Sequence, residues 1–207
     1  TRSTTRFEAL SVLNLNGNVI GVSQGLAQRM RGAGYGFDFT DAGRAGRALL
    51  DASQTLRIGV PFAFSMHLEL VRYWLDSLGA DPSRFDIRTV PPPLMADALA
   101  AREIDAFCVG EPRGSVAVEM GVGTLLLPGS AIWSAAPEKV LATRAGWAEA
   151  EPDLAGRLIR AVWRAGRWLG APENRMMASE VLTAPGRLAV APEVIERVLT
   201  GRMVISP

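Results

Sequence analysis

Apolar and polar positions along the chain switch between the two-residue period of a strand and the 3.6-residue period of a helix. ALSVLNLNGNVIGVS (9–23) predicts two short strands around Asn16-Gly17, a strong tight-turn signal between apolar runs. QGLAQRMRGAG (24–34) predicts a short helix stopped by glycines, and residues 45–53, led in by 41–44, predict a helix with a glycine-diluted polar face. TLRIGVP (55–61) is a strand ended by Pro61. Over 65–78 Leu68, Val71, Leu75 and Leu78 recur at helical spacing with Trp74 beside them; Ser65 is the expected N-cap and Gly79 the stop. FDIRTV (85–90) is a strand, and prolines 91–93 lead into a helix over 94–103. IDAFCVG (104–110) is a buried strand; EPRGSVAVEMG (111–121) is a helix with Pro112 at its first position. GTLLLPG and KVLATR (139–144) complete the strands. The remainder is helical. Residues 152–170 carry an apolar stripe (Leu154, Leu158, Ile159, Val162, Leu169) and an arginine stripe (157, 160, 164, 167), which fits a solvated face. RMMASEVL and PEVIERVLTG add two short helices.

Alternating strands and helices indicate an α/β class with a largely parallel sheet, followed by a helical piece that belongs to another unit. With 207 residues, 48% of them hydrophobic, the chain buries a core in one domain or two small ones. A formal net charge of +1 lacks the basic footprint of a nucleic-acid binder, so no direct nucleic-acid partner is expected. The single cysteine, Cys108, rules out an intrachain disulfide and a Cys-rich metal site. The longest uncharged run, 120–137, is broken by prolines and glycines and makes a poor membrane span. There is no visible signal peptide, but the chain opens on TRSTTRFEALSVL without a methionine and reads as cut from something longer. GAGYGFD does not follow a strand into a long helix, which argues against a phosphate loop.

Three polar positions fall where an α/β sheet places ligands, beyond the carboxyl ends of its strands. His67, the only histidine, follows TLRIGV in the first turn of a helix; Gly110-Glu111-Pro112 follows DAFCV; Lys139, the only lysine, opens KVLATR. A helix amino terminus offers free N–H groups and a partial positive charge. A glycine lets an anion reach the main chain, and lysine adds a full charge on rotatable donors. Neutral histidine donates from one ring nitrogen. Together they describe a pocket for a small, acceptor-rich anion. Catalysis finds little support. One histidine cannot supply a multi-His metal centre, no nucleophile–base order stands out, and Glu69 and Asp76 are expected to face solvent. No catalytic residue, metal or cofactor is expected.

VPFAFSMHLELVRYWL, VPPPLMADALAAREIDAFCVGEP and IWSAAPEKVL resemble segments of the nitrate- and bicarbonate-binding proteins of ABC transporters and of related cytoplasmic nitrate sensors, over roughly residues 10–170. The resemblance implies a type II periplasmic-binding-protein-like fold of two α/β lobes, with the amino-terminal part of the first lobe absent. It implies residues 1–14 as a remnant of the first lobe and crossover, 15–125 as the second lobe, 126–144 as the return crossover, and 145–207 as the helical carboxyl-terminal part of the first lobe. It places nitrate contacts on His67, Lys139 and the backbone of Gly110, and a glutamine contact on Gln24 in GVSQGL. Arg113 departs from the family, where many relatives carry Trp after GEP. The implied function is capture of nitrate or nitrite for the membrane subunits of an ABC transporter, at a periplasmic or membrane-associated location. The alternatives are a cytoplasmic sensor acting on a regulatory protein, a bicarbonate binder, and a thiamine-pyrimidine-synthase-like enzyme, against which the lone Cys108 argues.

Overall fold

The structure, a computed structural model, describes residues 5–207. Strand β1 (Phe7–Leu15) leads through Asn16 and Gly17, both left-handed (φ 57° and 90°), into β2 (Asn18–Ser23). The left-handed residues fall where the sequence signals a tight turn, but they form neither a turn nor a hairpin: the chain runs on from β1 into β2 and the two strands do not pair with each other. β1 pairs antiparallel with β7 (Pro137–Arg144) in a separate two-stranded ribbon, whereas β2 enters a five-stranded sheet. Burial explains the parting. Five of the six residues of NVIGVS are buried, so β2 needs neighbours on both edges and cover on both faces, while most of β1 is exposed.

The chain continues through α1 (Gln24–Gly32), α2 (Ala42–Ala52), β3 (Leu56–Val60), α3 (Met66–Ser77), β4 (Phe85–Thr89), α4 (Met95–Ala100), β5 (Ala106–Gly110), α5 (Arg113–Glu119) and β6 (Gly123–Pro128). The sheet order is β4-β3-β5-β2-β6. β3 runs parallel to β4 and β5, and β2 runs antiparallel to β5 and β6. The sheet is therefore mixed rather than wholly parallel, with β2 the one reversed strand. One core, on Leu26, Met30, Leu49, Leu68, Val71 and Trp74, packs α1–α3 on one face. A second, on Met95, Leu99, Phe107, Val118 and Leu125, packs α4 and α5 on the other. At Gly21 the strands approach so closely that a Cβ would lie 2.2 Å from Cζ of Phe107.

Helix α3 follows its sequence pattern. Ser65 Oγ accepts from the amide of Leu68 at 3.4 Å, Leu68, Leu70, Val71, Trp74 and Leu75 are buried, and Gly79 is left-handed at φ 67°. Trp74 anchors the helix by donating its Nε1–H to the carbonyl of Ala42 at 2.8 Å.

After β6 come α6 (Gly129–Ile132), β7, α7 (Trp147–Ala150), α8 (Pro152–Gly170), α9 (Arg175–Thr183) and α10 (Pro192–Thr200). The arginines of α8 are exposed as expected, with Arg167 stacked over Trp163 at 5.1 Å. Its apolar stripe is covered less than expected: Ala155 is its one buried residue, and Leu154 and Leu169 are exposed. The end of the chain also departs from a segment lying wholly apart from the five-stranded sheet. Arg197 on α10 pairs with Glu119 on α5, Met203 and Ile205 pack against the second core, and the amide of Leu125 in β6 donates to the carbonyl of Ile205 at 2.7 Å.

Candidate anion site

Reversal of β2 decides which residues share a rim of the sheet. β3 and β5 end there and feed α3 and α5, while β2 begins there, with Asn18 opposite Gly110. Antiparallel pairs alternate between bonded and non-bonded. The amide of Glu111 donates to the carbonyl of Gly17 at 2.9 Å. The Asn18–Gly110 pair is therefore non-bonded, and the Gly110 N–H points away from β2. A Cβ at Gly110 would lie 3.6 Å from Asn18 Oδ1 and 3.9 Å from His67 Nε2. Glycine at this point leaves the main chain open between those two side chains.

His67 stands in the first turn of α3, only 7% exposed, and its Nδ1 is buried without a hydrogen-bond partner. The first helical amides, including its own, have no carbonyl four residues back, and the helix dipole favours negative charge there by about 0.3–1 kcal/mol. Burial pushes the imidazole pKa below its ordinary value; Glu138 pulls it up and Lys139 pushes it down.

Lys139 arrives on β7 and pairs through Nζ with Oε1 of Glu138. The two side chains contrast, Lys139 being 62% exposed and Glu138 7%. Oε2 of Glu138 accepts from Asn18 Nδ2 at 2.8 Å. Burial would raise the Glu138 pKa, but the hydrogen bonds from Lys139 and Asn18 and the positive form of His67 outweigh it and hold it below the usual carboxylate value. Gly110, His67 and Lys139, predicted from the sequence, are thus joined by Asn18 and Glu138, which sequence reasoning missed. Glu138 reads locally as an ordinary polar strand residue. The signal available was its place beside the only lysine.

Gln24 is not with them. It follows the last residue of β2, and a six-residue strand spans about 17–20 Å, so it belongs to the opposite rim. Its Nε2 donates to the carbonyl of Gly123 at 2.7 Å. It lines a separate cavity of about 410 Å³ with Arg29, Arg57, Arg102 and Asp105. Arg113 is half-buried on α5. Glu111, next to Gly110, accepts from the Ser115 amide at 3.1 Å, and burial raises its pKa. Cys108 is fully buried behind the site, its thiol pKa pushed up by burial and then by Glu138. Among the described residues no group of three His, Cys, Asp or Glu side chains could hold a metal ion.

The profile of the NMT1-like family matches residues 1–183. The nitrate import ATP-binding protein NrtC of Synechococcus elongatus is 37% identical over 140 residues, 67% of this chain and 21% of its own length. The nitrate/nitrite binding protein NrtA of Nostoc is 28% identical over 190 residues, 91% of this chain and 42% of its own. Among solved structures, the periplasmic nitrate-binding protein NrtA of Synechocystis superposes with a TM-score of 0.79 at 28% identity, over 94% of this chain and 49% of its own. The chain therefore spans a fifth to two fifths of these curated relatives and about half of the solved one. The type II periplasmic-binding fold and homology to nitrate-binding transport components follow from these matches.

Proposed function

The chain belongs to the NMT1-like family, and from that premise we propose that it captures a small oxyanion, nitrate or nitrite, as part of the binding component of an ABC-type importer. The observation that carries this reading is the convergence of His67, Gly110 and Lys139 from α3, β5 and β7 on one rim. Capture is non-covalent. The exposed Lys139 ammonium supplies charge from the rim, the imidazole and the Gly110 amide supply directed donors, and the burial of His67 strengthens its bond by excluding water. On this reading residues 15–125 form one lobe, residues 1–14, of which 1–4 lie outside the described residues, are a remnant of the other lobe and a crossover, 126–144 are the return crossover, and 145–207 belong largely to the other lobe. Closure of the two would desolvate the anion. The work is done at a periplasmic or membrane-associated location, with membrane subunits of the importer as partners. No helix among the described residues is long and apolar enough to cross a membrane. The relatives named above are import components, which supports transport over the regulatory-sensor and enzymatic alternatives.

One feature favours a second reading. Glu138 places an acceptor beside the site; bicarbonate has an O–H to give it, and nitrate has none. Titration calorimetry with nitrate, nitrite and bicarbonate, the last with and without calcium, separates the two. The expected result is nitrate binding with a Kd of about 1 μM or tighter, weakened at least about tenfold by Lys139→Ala and by His67→Ala. Affinity unchanged in both variants removes the site assignment, and failure of every anion to bind removes the function.

A further inference from the structure

The site proposed to hold an anion also holds a buried anion of its own. The Glu138 side chain is only 7% exposed, and both its oxygens are engaged, one by Lys139 and one by Asn18. Its negative charge is felt at two neighbours, favouring the protonated form of both the His67 imidazole and the Cys108 thiol. The groups around His67 are few. β7 presents Glu138 and Lys139, β2 presents the neutral Asn18 amide, and β5 presents Gly110. On α3 itself, Glu69 and Arg72 are exposed and pair with each other at 3.5 Å. With His67 neutral, Lys139 and Glu138 cancel and the cluster has no net charge. A monovalent anion entering it would meet a carboxylate with no surplus positive charge, inside a partly desolvated rim where like charges repel strongly.

We propose that Glu138 sets the charge of this site, so that a monovalent oxyanion enters together with one proton, taken from solvent by the ring of His67. Anion and proton then add as a neutral pair: the imidazolium balances the anion while Glu138 continues to balance Lys139. Nε2 faces the open side of Gly110, where an entering anion would meet it as a donor. This inference rests on the anion-capture reading and adds a condition to it. Linkage is reciprocal: an anion that raises the proton affinity of His67 is itself held more tightly by the protonated form. Affinity is therefore highest below the free-state pKa of His67. It falls by up to about tenfold per pH unit between the free and bound values, and levels off above the bound value.

Because the chain has one histidine, its imidazole signals can be followed by NMR with no assignment variants. The expected result is an upward shift of the His67 titration midpoint in sodium nitrate, with proton uptake approaching one per nitrate in calorimetry run in buffers of different ionisation heat. Glu138→Gln retains an acceptor for Asn18 and removes the charge. Nitrate should then bind with less proton uptake, and at pH 8 about tenfold or more tightly than to wild type. Nitrate binding with an unmoved midpoint and no proton uptake in the wild-type protein overturns the inference alone; that measurement needs no variant. No nitrate response at any pH overturns the capture reading and the inference with it.

Discussion

Gly110→Ala separates the fold of this protein from its proposed ligand. Gly110 ends β5 without a left-handed φ, so alanine fits the backbone there. The added methyl would meet Asn18 Oδ1 at 3.6 Å and His67 Nε2 at 3.9 Å, both ordinary van der Waals distances. Replacing glycine at a compatible position stabilises a chain by about 0.4–1 kcal/mol through the unfolded state. In a chain of this size that is a rise of about 1–4 °C in Tm. The same methyl stands in the space through which an anion would reach the Gly110 amide. Loss of one charge-assisted hydrogen bond costs about 1.5–3 kcal/mol, or about 10- to 150-fold in affinity. Thermal melting by circular dichroism and calorimetry with nitrate read the two effects on one sample. Nitrate affinity within about twofold of wild type, at an unchanged or raised Tm, would refute the backbone contact. A lowered Tm would refute the packing argument.

Three further outcomes test the framework around the site. Gly21→Ala forces its methyl to 2.2 Å from Phe107 Cζ in the middle of the sheet; urea unfolding should show a loss of about 1–3 kcal/mol or more. Asp105 is held below the ordinary carboxyl pKa chiefly by its hydrogen bond from Arg57, with Nε and Nη2 at 2.8 and 2.7 Å. Its contribution is fully present above the unfolded-state value of about 3.9 and is lost as pH falls through the lower folded-state value, so Asp105→Asn should flatten the stability profile in that window. Cys108 is buried with its thiol pKa raised; a thiol reagent at neutral pH should leave it untouched in the native protein and label it once urea unfolds the chain.

What could be read from the sequence, and what could not, divides along the range of the forces involved. Ser65, the Leu68–Val71–Leu75 spacing and Gly79 act within one helix, and α3 formed as they require. Asn16 and Gly17 took the left-handed backbone that is their local preference, but not the tight turn expected of them. Which partner each flanking strand then takes depends on burial elsewhere, so β1 went to β7 and β2 to β5 and β6. An apolar run of six residues carries no mark of direction, and the reversal of β2 was invisible. That reversal put Asn18 at the same rim as Gly110 and Gln24 at the far one. Glu138 was hidden for the same reason: one of its two partners, Asn18, lies 120 residues earlier.

The two outer strands of the five-stranded sheet are protected in different ways. β4 carries Asp86 and Arg88, paired with each other at 2.8 Å, and those charges discourage a stranger from adding to its rim. β6 reads GTLLLP and has no charge to spend on the task. There the chain uses its own last residues, Ile205 taking the Leu125 amide and Ser206 accepting from Arg31 at 2.8 Å. Proteolytic trimming back to residue 201 would strip that guard and leave an apolar edge with unpaired main-chain groups, a template on which another strand could add.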